Sequence, residues 1–399
     1  MKIDEFRPRL ARWTGSTNRI TQHMIGGRDP SVINLSGGLP APEVYPLAAI
    51  AAATQRALAR FGAQAVAYGP VEGMPALRSA IAARLSGPRQ KFSVANVLIT
   101  TGSLQGVELL GKILLEPGET ILAQHPTYLG ALDAWRPREP SYRILDWNAD
   151  EARLGAELRA AKFAYVVPNF SNPTGALVPV EARERLVRAG RTADTVIVED
   201  DPYGALFYDG DAPPSALELS GDGGRGDTYR GPVVYLGTLS KTVAPGLRIG
   251  WAVGDPSVIA ALSLAKQGAD LCTSTFNQAV ALELLEAGVE RETLPAMIAR
   301  YRARRDAIVT ATRQYLHNSF EFTPPSGGMF LWLKSRDPAI DTDALWQAAL
   351  AEGVMFCPSS VFDPSGRDTS AIRLNFTLNE ETKLVEGVRR LAAALQRRS

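Results

Sequence analysis

The sequence predicts an α/β protein in which a mostly parallel, doubly covered sheet is joined to a smaller α+β unit. Three observations carry this. From about residue 97 to 254, β-rich apolar runs alternate with helical stretches, the pattern of βαβ units. The runs FAYVVPN (163–169), TVIVEDD (195–201) and VVYLGTLS (233–240) read as buried strands. After about residue 275 the alternation stops, and a long helical stretch precedes three further strand-like runs, marking a second unit.

Each element has its own reason. INLSGGLPAPEVYP (33–46) starts as a short strand-like run and ends in a Gly/Pro turn cluster. PLAAIAAATQRALARFG (46–62) is helical, with Ala and Leu at helical spacing and Gly62 as its stop. YGPVEGMPALRSAIAARL (68–85) is a loop entering a second helix. The strand VLIT (97–100) leads into the helix LQGVELLGKIL (104–114), and ETILAQ (119–124) is the next strand. VEARERLVRAGR (180–191) is helical, GDGGRGD (221–227) is a polar loop, and GLRIGWAVG (246–254) is a further strand. Helical residues run from QAVALELLEAG (278–288) through RYRARRDAIVTATRQYL (300–316). GMFLWLK (328–334), VMFCP (354–358) and AIRLNF (371–376) supply the strands of the smaller unit. No internal repeat or low-complexity tract interrupts this order.

Composition narrows the function. Of 399 residues, 45% are hydrophobic and 21% charged, an ordinary globular balance that needs no staples to bury a core. The 43 basic and 42 acidic residues leave a formal charge of +1, which argues against nucleic acid or a membrane surface as partner. Cys272 and Cys357 make no disulfide framework or thiolate metal site, and His23, His125 and His317 are isolated, so no metal is expected. MKIDEFRPRL lacks the apolar core of a signal peptide, and no apolar run reaches the roughly 18 residues of a membrane span. The expectation is a cytoplasmic enzyme acting on small molecules.

Four loops sit at ends of expected strands, where doubly wound sheets bind ligands. SKTVAPGLRIGW places Lys241 at the end of a buried run, with the hydroxyls of Thr238 and Ser240 and the cation of Arg248 beside it. Hydroxyls with a guanidinium can cradle a phosphate, and a lysine of depressed pKa can form a Schiff base. Alone, Lys241 reads equally as a solvated lysine in a turn. EDDPYG (199–204) sets Asp200 and Tyr203 three apart, where a carboxylate can pair with a protonated ring nitrogen and a phenol can reach the same ring. Alone it reads as an acidic turn or a magnesium site. In PNFSNPTG (168–175), the Asn172 amide can donate to an oxyanion or phenolate, though Asn-Pro is a common turn. In TTGSLQG (100–106), Gly102 and Ser103 put backbone N–H groups and a hydroxyl at a helix N-terminus, an anion site by geometry or an ordinary cap.

Two decoys fall away. GVELLGK (106–112) spells most of a phosphate-loop pattern, but Ile113 follows where Ser or Thr is needed, and VELL is helix-forming and apolar. No glycine fingerprint links a strand directly to a helix as a nicotinamide site requires, and no G-x-S-x-G elbow supports a hydrolase. The four loops taken together describe a pyridoxal phosphate site, which needs a Schiff-base lysine and a partner for the pyridinium nitrogen.

NLSGGLPAPEVYP, AYGPVEGMPALR, NFSNPTG, EDDPYG, LSKTVAPGLRIGW, TSTFNQ, GGMFLWL and IRLNF occur in order along the chain. With them the sequence resembles, over essentially its full length, the fold-type I pyridoxal-phosphate-dependent aminotransferases of class I/II, in the α-aminoadipate/kynurenine branch. The resemblance implies that Lys241 holds the cofactor and shuttles the substrate proton, and that Asp200 keeps the ring nitrogen protonated. It implies that Asn172 and Tyr203 bond the ring oxygen and that Tyr128 stacks on the ring. Gly102, Ser103, Ser240 and Arg248 would serve the phosphate, with Thr238 where the family often has Ser. Leu104 departs from the branch, which usually has a polar residue there, but its backbone N–H can still serve. Tyr68 would reach the phosphate of a partner subunit's cofactor, which implies a homodimer with shared sites. Arg373 would clamp the substrate α-carboxylate, with Asn172 sharing it.

The segment STNRITQHMIGG (16–27) resembles the branch's substrate-covering helix, in which Arg19 matches a position that meets a distal carboxylate. Ser36, Gly37, Gly38 and Leu39 would line the same pocket. The expected reaction moves an amino group between an L-amino acid and a 2-oxo acid, with 2-oxoglutarate and glutamate as one pair. A β-lyase or an oxidase/hydroxylase on the same fold is the nearest alternative. A ligand-sensing regulator is a remote one, since the motifs begin by about residue 34 and leave no room for a DNA-binding module ahead of them. The expected large domain spans 46–285; residues 1–45 with 286–399 form the small one.

Overall fold

The computed structural model describes residues 9–16, 29, 31–223 and 226–397. The first strand, β1 (Ile33–Asn34), is short and pairs in parallel with β11 (Val354–Met355), so this early strand joins the C-terminal unit. The central sheet follows: β2 (Val97–Thr100), β3 (Thr120–Ala123), β4 (Ser141–Ile144), β5 (Phe163–Val166), β6 (Val196–Asp200), β7 (Val233–Thr238) and β8 (Gly250–Val253). Its spatial order is β2-β8-β7-β6-β5-β3-β4. Only β8 runs against the rest, pairing antiparallel with both β2 and β7. The carboxyl ends of the other six strands therefore lie along one edge, and β8 starts there.

Alternation along each strand builds two cores. Leu98, Phe163, Tyr165 and Val198 face one core, with Val107, Leu110 and Trp135 from the helices Ser103–Leu114 and Leu129–Trp135. Val97, Ile99, Ala164, Val166 and Ile197 face the other, with Ala53, Leu77 and Leu186 from the helices Leu47–Phe61, Pro75–Leu85 and Val180–Ala193. Trp135 is fully buried, its indole N–H donating to Val107 O at 2.8 Å; truncating it to Ala would cost about 3–5 kcal/mol. The first core runs on into the C-terminal unit, through Phe330, Ile372 and Leu374.

That unit has a four-stranded antiparallel sheet in the order β12-β13-β10-β9, from β9 (Phe320–Glu321), β10 (Phe330–Ser335), β12 (Cys357–Pro358) and β13 (Ala371–Asn375). Several boundaries differ from expectation. The helical stretch after 275 is two helices, Thr275–Glu286 and Val289–Tyr315, because Gly288 turns the chain at φ +69°. The strand expected over 246–254 begins only at Gly250, since Pro245–Leu247 form a 3-10 turn. VMFCP is two short strands rather than one. Strand β4 was not expected, because as a sheet edge it is mostly solvent-exposed and carries no buried pattern.

Candidate active site

The edge formed by the strand ends opens into a cleft of 380 Å³. Ser103 and Leu104 enter it after β2, Asn172 after β5, Asp200 and Tyr203 at the end of β6, and Thr238, Ser240 and Lys241 at the end of β7. Arg248 comes from the turn before β8, so the single antiparallel strand brings a cation to an edge that parallel strands alone would supply with their own loops. Tyr128 caps the helix after β3, and Arg373 reaches the cleft from β13. Gly37, Gly38 and Leu39 close it from the N-terminal segment. The structure thus brings together residues up to about 330 positions apart in sequence.

Local hydrogen bonds hold each loop. Ser240 N–H donates to Thr238 Oγ1 at 3.1 Å, and the Thr238 hydroxyl reaches Ile249 O at 3.0 Å, closing the excursion that presents Lys241 and Arg248. Gln124 Nε2 donates to Ser171 Oγ at 2.7 Å and its Oε1 accepts from Val167 N–H, steadying the Asn172 loop. Gly102 has φ +75°, which favours glycine, and a Cβ there would strike the Arg248 guanidinium. Gly250 lies so close to Gly102 that a Cβ on it would fall 2.6 Å from Ser103 N. This tight approach forms a cradle of backbone, hydroxyl and cation at a helix start, suited to a phosphate.

The carboxylates of EDDPYG separate by strand alternation. Asp200 is 2% exposed and faces the cleft; its Oδ2 accepts from Tyr165 Oη at 2.8 Å, while Oδ1 has no partner. Glu199, on the opposite face, accepts from the N–H groups of Ala216 and Leu217, both at 2.8 Å. Burial pushes the Asp200 carboxyl up to about 7, Asp201 adding to it and the Tyr165 hydroxyl and Lys241 opposing. Burial pushes Lys241 down to about 8, helped by Arg248 and Arg373 and opposed by Asp200. Lys241 Nζ donates to Gly38 O at 2.7 Å. A buried acceptor that lacks a donor, a lysine of lowered pKa and an anion cradle in one cleft fit a phosphorylated pyridinium aldehyde.

Arg373 is 2% exposed and held from four sides. Its guanidinium lies 4.3 Å from the Phe330 ring and 4.8 Å from the Phe362 ring. Nη1 donates to Asn172 Oδ1 at 2.5 Å, Nη2 donates to Ser36 O, and Nε has no partner. Tyr128 is pushed up to about 12 and Tyr203 is also raised, both chiefly by burial, so both phenols stay protonated at neutral pH.

Ser36 and Gly102 do not line the cleft themselves: Ser36 is fully buried with its carbonyl accepting from Arg373, and Gly102 packs against the Arg248 guanidinium. Two further expected residues are not brought to it. Tyr68 is 87% exposed and does not line it, and Arg19 lies outside the described residues, as does most of the segment 16–27. Three residues that sequence reasoning missed are Tyr165, Phe330 and Phe362. Tyr165 was findable: on parallel β5 and β6 it is in register with Val198, so it shares a face with Asp200 two residues on. The phenylalanines carry no such signal, because their contact with Arg373 crosses between β10, β13 and the turn Ser359–Phe362.

Comparison with known proteins agrees with this geometry. Residues 30–391 match the family described as aminotransferase class I and II. The chain is 36% identical over 381 residues to aromatic-amino-acid aminotransferase 1 of Thermococcus litoralis, covering 92% of this chain and 88% of that one. The crystal structure of Pyrococcus horikoshii kynurenine aminotransferase in complex with PMP, kynurenine and product superposes with a TM-score of 0.88 at 33% identity, covering 98% and 97% of the two chains. That of the α-aminoadipate aminotransferase LysN of Thermus thermophilus, complexed with N-(5'-phosphopyridoxyl)-L-leucine, gives a TM-score of 0.84 at 34% identity, covering 97% and 98%.

Proposed function

The chain belongs to the class I and II aminotransferases, and from that premise we propose how its residues divide the work and which substrates it takes. It is a pyridoxal-phosphate-dependent enzyme that transfers amino groups. Bound pyridoxal phosphate supplies an electron sink for the pair left when an amino acid gives up its Cα proton.

The residues then have these roles. Lys241 would hold the cofactor, and its Nζ would carry the Cα proton; burial and two arginines lower this amine toward neutrality rather than leaving it permanently charged. Asp200 Oδ1, which has no partner in the protein, would accept from the ring N–H, and Tyr165 holds Oδ2 in place. Asn172 and Tyr203, which line the cleft, would donate to the ring oxygen, and Tyr128 would flank the ring. Gly102, Ser103, the Leu104 N–H, Thr238, Ser240 and Arg248 hold the phosphate, and Tyr68 of one subunit reaches toward the cofactor of the other in a homodimer. Its 87% exposure in the single chain suits a residue that works on a partner. Arg373, with Asn172, binds the substrate α-carboxylate as a bidentate fork.

For substrates, the reading is an L-amino acid exchanged with a 2-oxo acid, glutamate and 2-oxoglutarate forming one pair. Gly38, Leu39, Leu129 and Val167 give the cleft apolar walls, which suit neutral and aromatic side chains of the kind named for the Thermococcus and Pyrococcus relatives. An acidic side chain would call on Arg19. The unit 46–285 forms the large domain, and 1–45 with 286–399 the small one, whose approach excludes water. Among the described residues no helix is long and apolar enough to cross a membrane. We place the enzyme in the cytoplasm, with no nucleic-acid partner.

The observation that carries the reading is the partnerless Asp200 Oδ1 in one cleft with Lys241 and Arg373. The test is a single-substrate half-reaction. The holoenzyme, given one amino acid and no acceptor under anaerobic conditions, is expected to release one equivalent of 2-oxo acid per site and stop. Release of ammonia with continued turnover, or oxygen uptake in air, would replace transamination with lyase or oxidase chemistry.

A further inference from the structure

Behind the loop that starts the helix Ser103–Leu114 lies a polar cluster whose members Lys266, Asp270, Gln105 and Thr101 do not line the cleft. Lys266, from the helix Pro256–Gln267, is fully buried. Its ammonium donates to both oxygens of Asp270, at 2.6 and 2.7 Å, and to Gln105 Oε1 at 2.9 Å. Gln105 Nε2 donates to Asp270 Oδ2 at 2.7 Å, and the Thr101 hydroxyl donates to the same oxygen at 2.9 Å. Gln105 Oε1 also accepts the Thr101 backbone N–H at 2.8 Å. Beyond the Lys266–Asp270 ion pair itself, these bonds all end on residue 101 or residue 105, the two flanks of Gly102, Ser103 and Leu104.

We propose that Lys266, Asp270 and Gln105 are positioning residues for the phosphate loop, holding Thr101 and Gln105 so that Ser103 and the N–H groups that start the helix stand ready for the anion. The inference rests on the phosphate role given above to Ser103 and Arg248. Its physical basis is threefold. Residue 102 has φ +75°, a conformation that a free loop visits only as one of several, so something must select it. The N–H groups of the first helical turn have no carbonyl of their own helix to bond, so their direction depends on what fixes the turn. A buried lysine stabilises a fold little compared with apolar residues of the same volume, so its presence here calls for a geometric role. From the cleft side, Arg248 Nη2 donates to Thr101 O at 3.3 Å, so the loop is pinned from front and back. Such outer partners set the geometry of a binding site without touching its ligand.

The test compares two probes, pyridoxal phosphate and unphosphorylated pyridoxal, titrated by absorbance into the apo form of the full chain. The double variant Lys266→Met/Asp270→Asn removes both charges together, and Thr101→Val, which removes the hydroxyl bond to Asp270 and leaves the buried ion pair intact, is the milder second variant if the double one does not fold. The expected result is a rise of about tenfold in the dissociation constant for pyridoxal phosphate, worth about 1.4 kcal/mol, with pyridoxal unchanged. Equal weakening of both probes in folded protein would show a merely structural cluster, and no change in either would also overturn the proposal. Arg248→Ala in the same titration reports on the phosphate reading itself. If it weakens pyridoxal phosphate selectively and neither cluster variant does, the positioning role alone fails; if it does not, the phosphate reading fails and this inference with it.

Discussion

The Tyr165 hydroxyl lies 2.8 Å from Asp200 Oδ2, on the neighbouring strand, and leaves Oδ1 of this cleft-lining carboxylate without a partner. The phenol therefore orients the carboxylate without competing for the oxygen that the ring nitrogen would use. Tyr165→Phe should lower kcat by about threefold to tenfold, the worth of one buried neutral hydrogen bond. Asp200→Asn, which removes a charge-assisted bond, should lower it by about 100-fold or more. Steady-state kinetics of the two variants checks the ranking; equal losses would mean that Tyr165 does more than orient.

Lys241 gives a pH prediction. Capture of an aldehyde needs the neutral amine, and burial with Arg248 and Arg373 holds this amine at about 8. The rate of cofactor uptake by the apoenzyme should rise with pH and level off just above 8. A solvated lysine would keep gaining to about 10.4. Stopped-flow absorbance across pH 6–10 separates the two courses.

Asp200 links pH to stability. Its carboxyl is raised to about 7 in the fold by burial, above the unfolded value near 4. Between those values the folded apoenzyme holds a proton that the unfolded chain has lost. This group's contribution is thus fully present below about pH 4 and is lost as pH rises through about 7. Denaturant melts of the apoenzyme at pH 5 and pH 8 should show a smaller pH loss in Asp200→Asn than in the parent.

Arg373 lies between the Phe330 and Phe362 rings, 4.3 and 4.8 Å away. Arg373→Lys loses the planar fork and the stacking together, so KM for every amino acid should rise by about 100-fold while kcat changes less. Phe362→Leu removes one cation–π face and should raise KM only about two- to fivefold. A uniform effect across amino acids of different side chain is the signature of α-carboxylate binding; a selective one would assign Arg373 to side-chain recognition.

Much of the site was legible before any fold. Lys241, Asp200, Asn172 and Ser103 stand out because each follows a strand-like run, and strand ends in such sheets converge. The helices of the large unit were legible too, since Ala and Leu spacing and a stopping glycine are local features. Strand β4 was not, because an exposed edge strand buries no side-chain pattern, and the break at Gly288 hid inside an unbroken helical composition.

By itself the sequence determined which chemistry is present: a lysine, a carboxylate, an amide, phenols, hydroxyls and two arginines, most of them at the ends of buried runs. Only tertiary structure decided which of the three adjacent acids 199–201 faces the cleft with an oxygen to spare, that Tyr165 holds it, and that Phe330 and Phe362 flank Arg373. It also decided that a lysine 161 residues from Gln105 braces the loop before it. The reason is physical: local propensity and pattern act over a few residues, whereas desolvation, hydrogen-bond partnership and pKa depend on whichever distant side chains packing brings within a few ångströms.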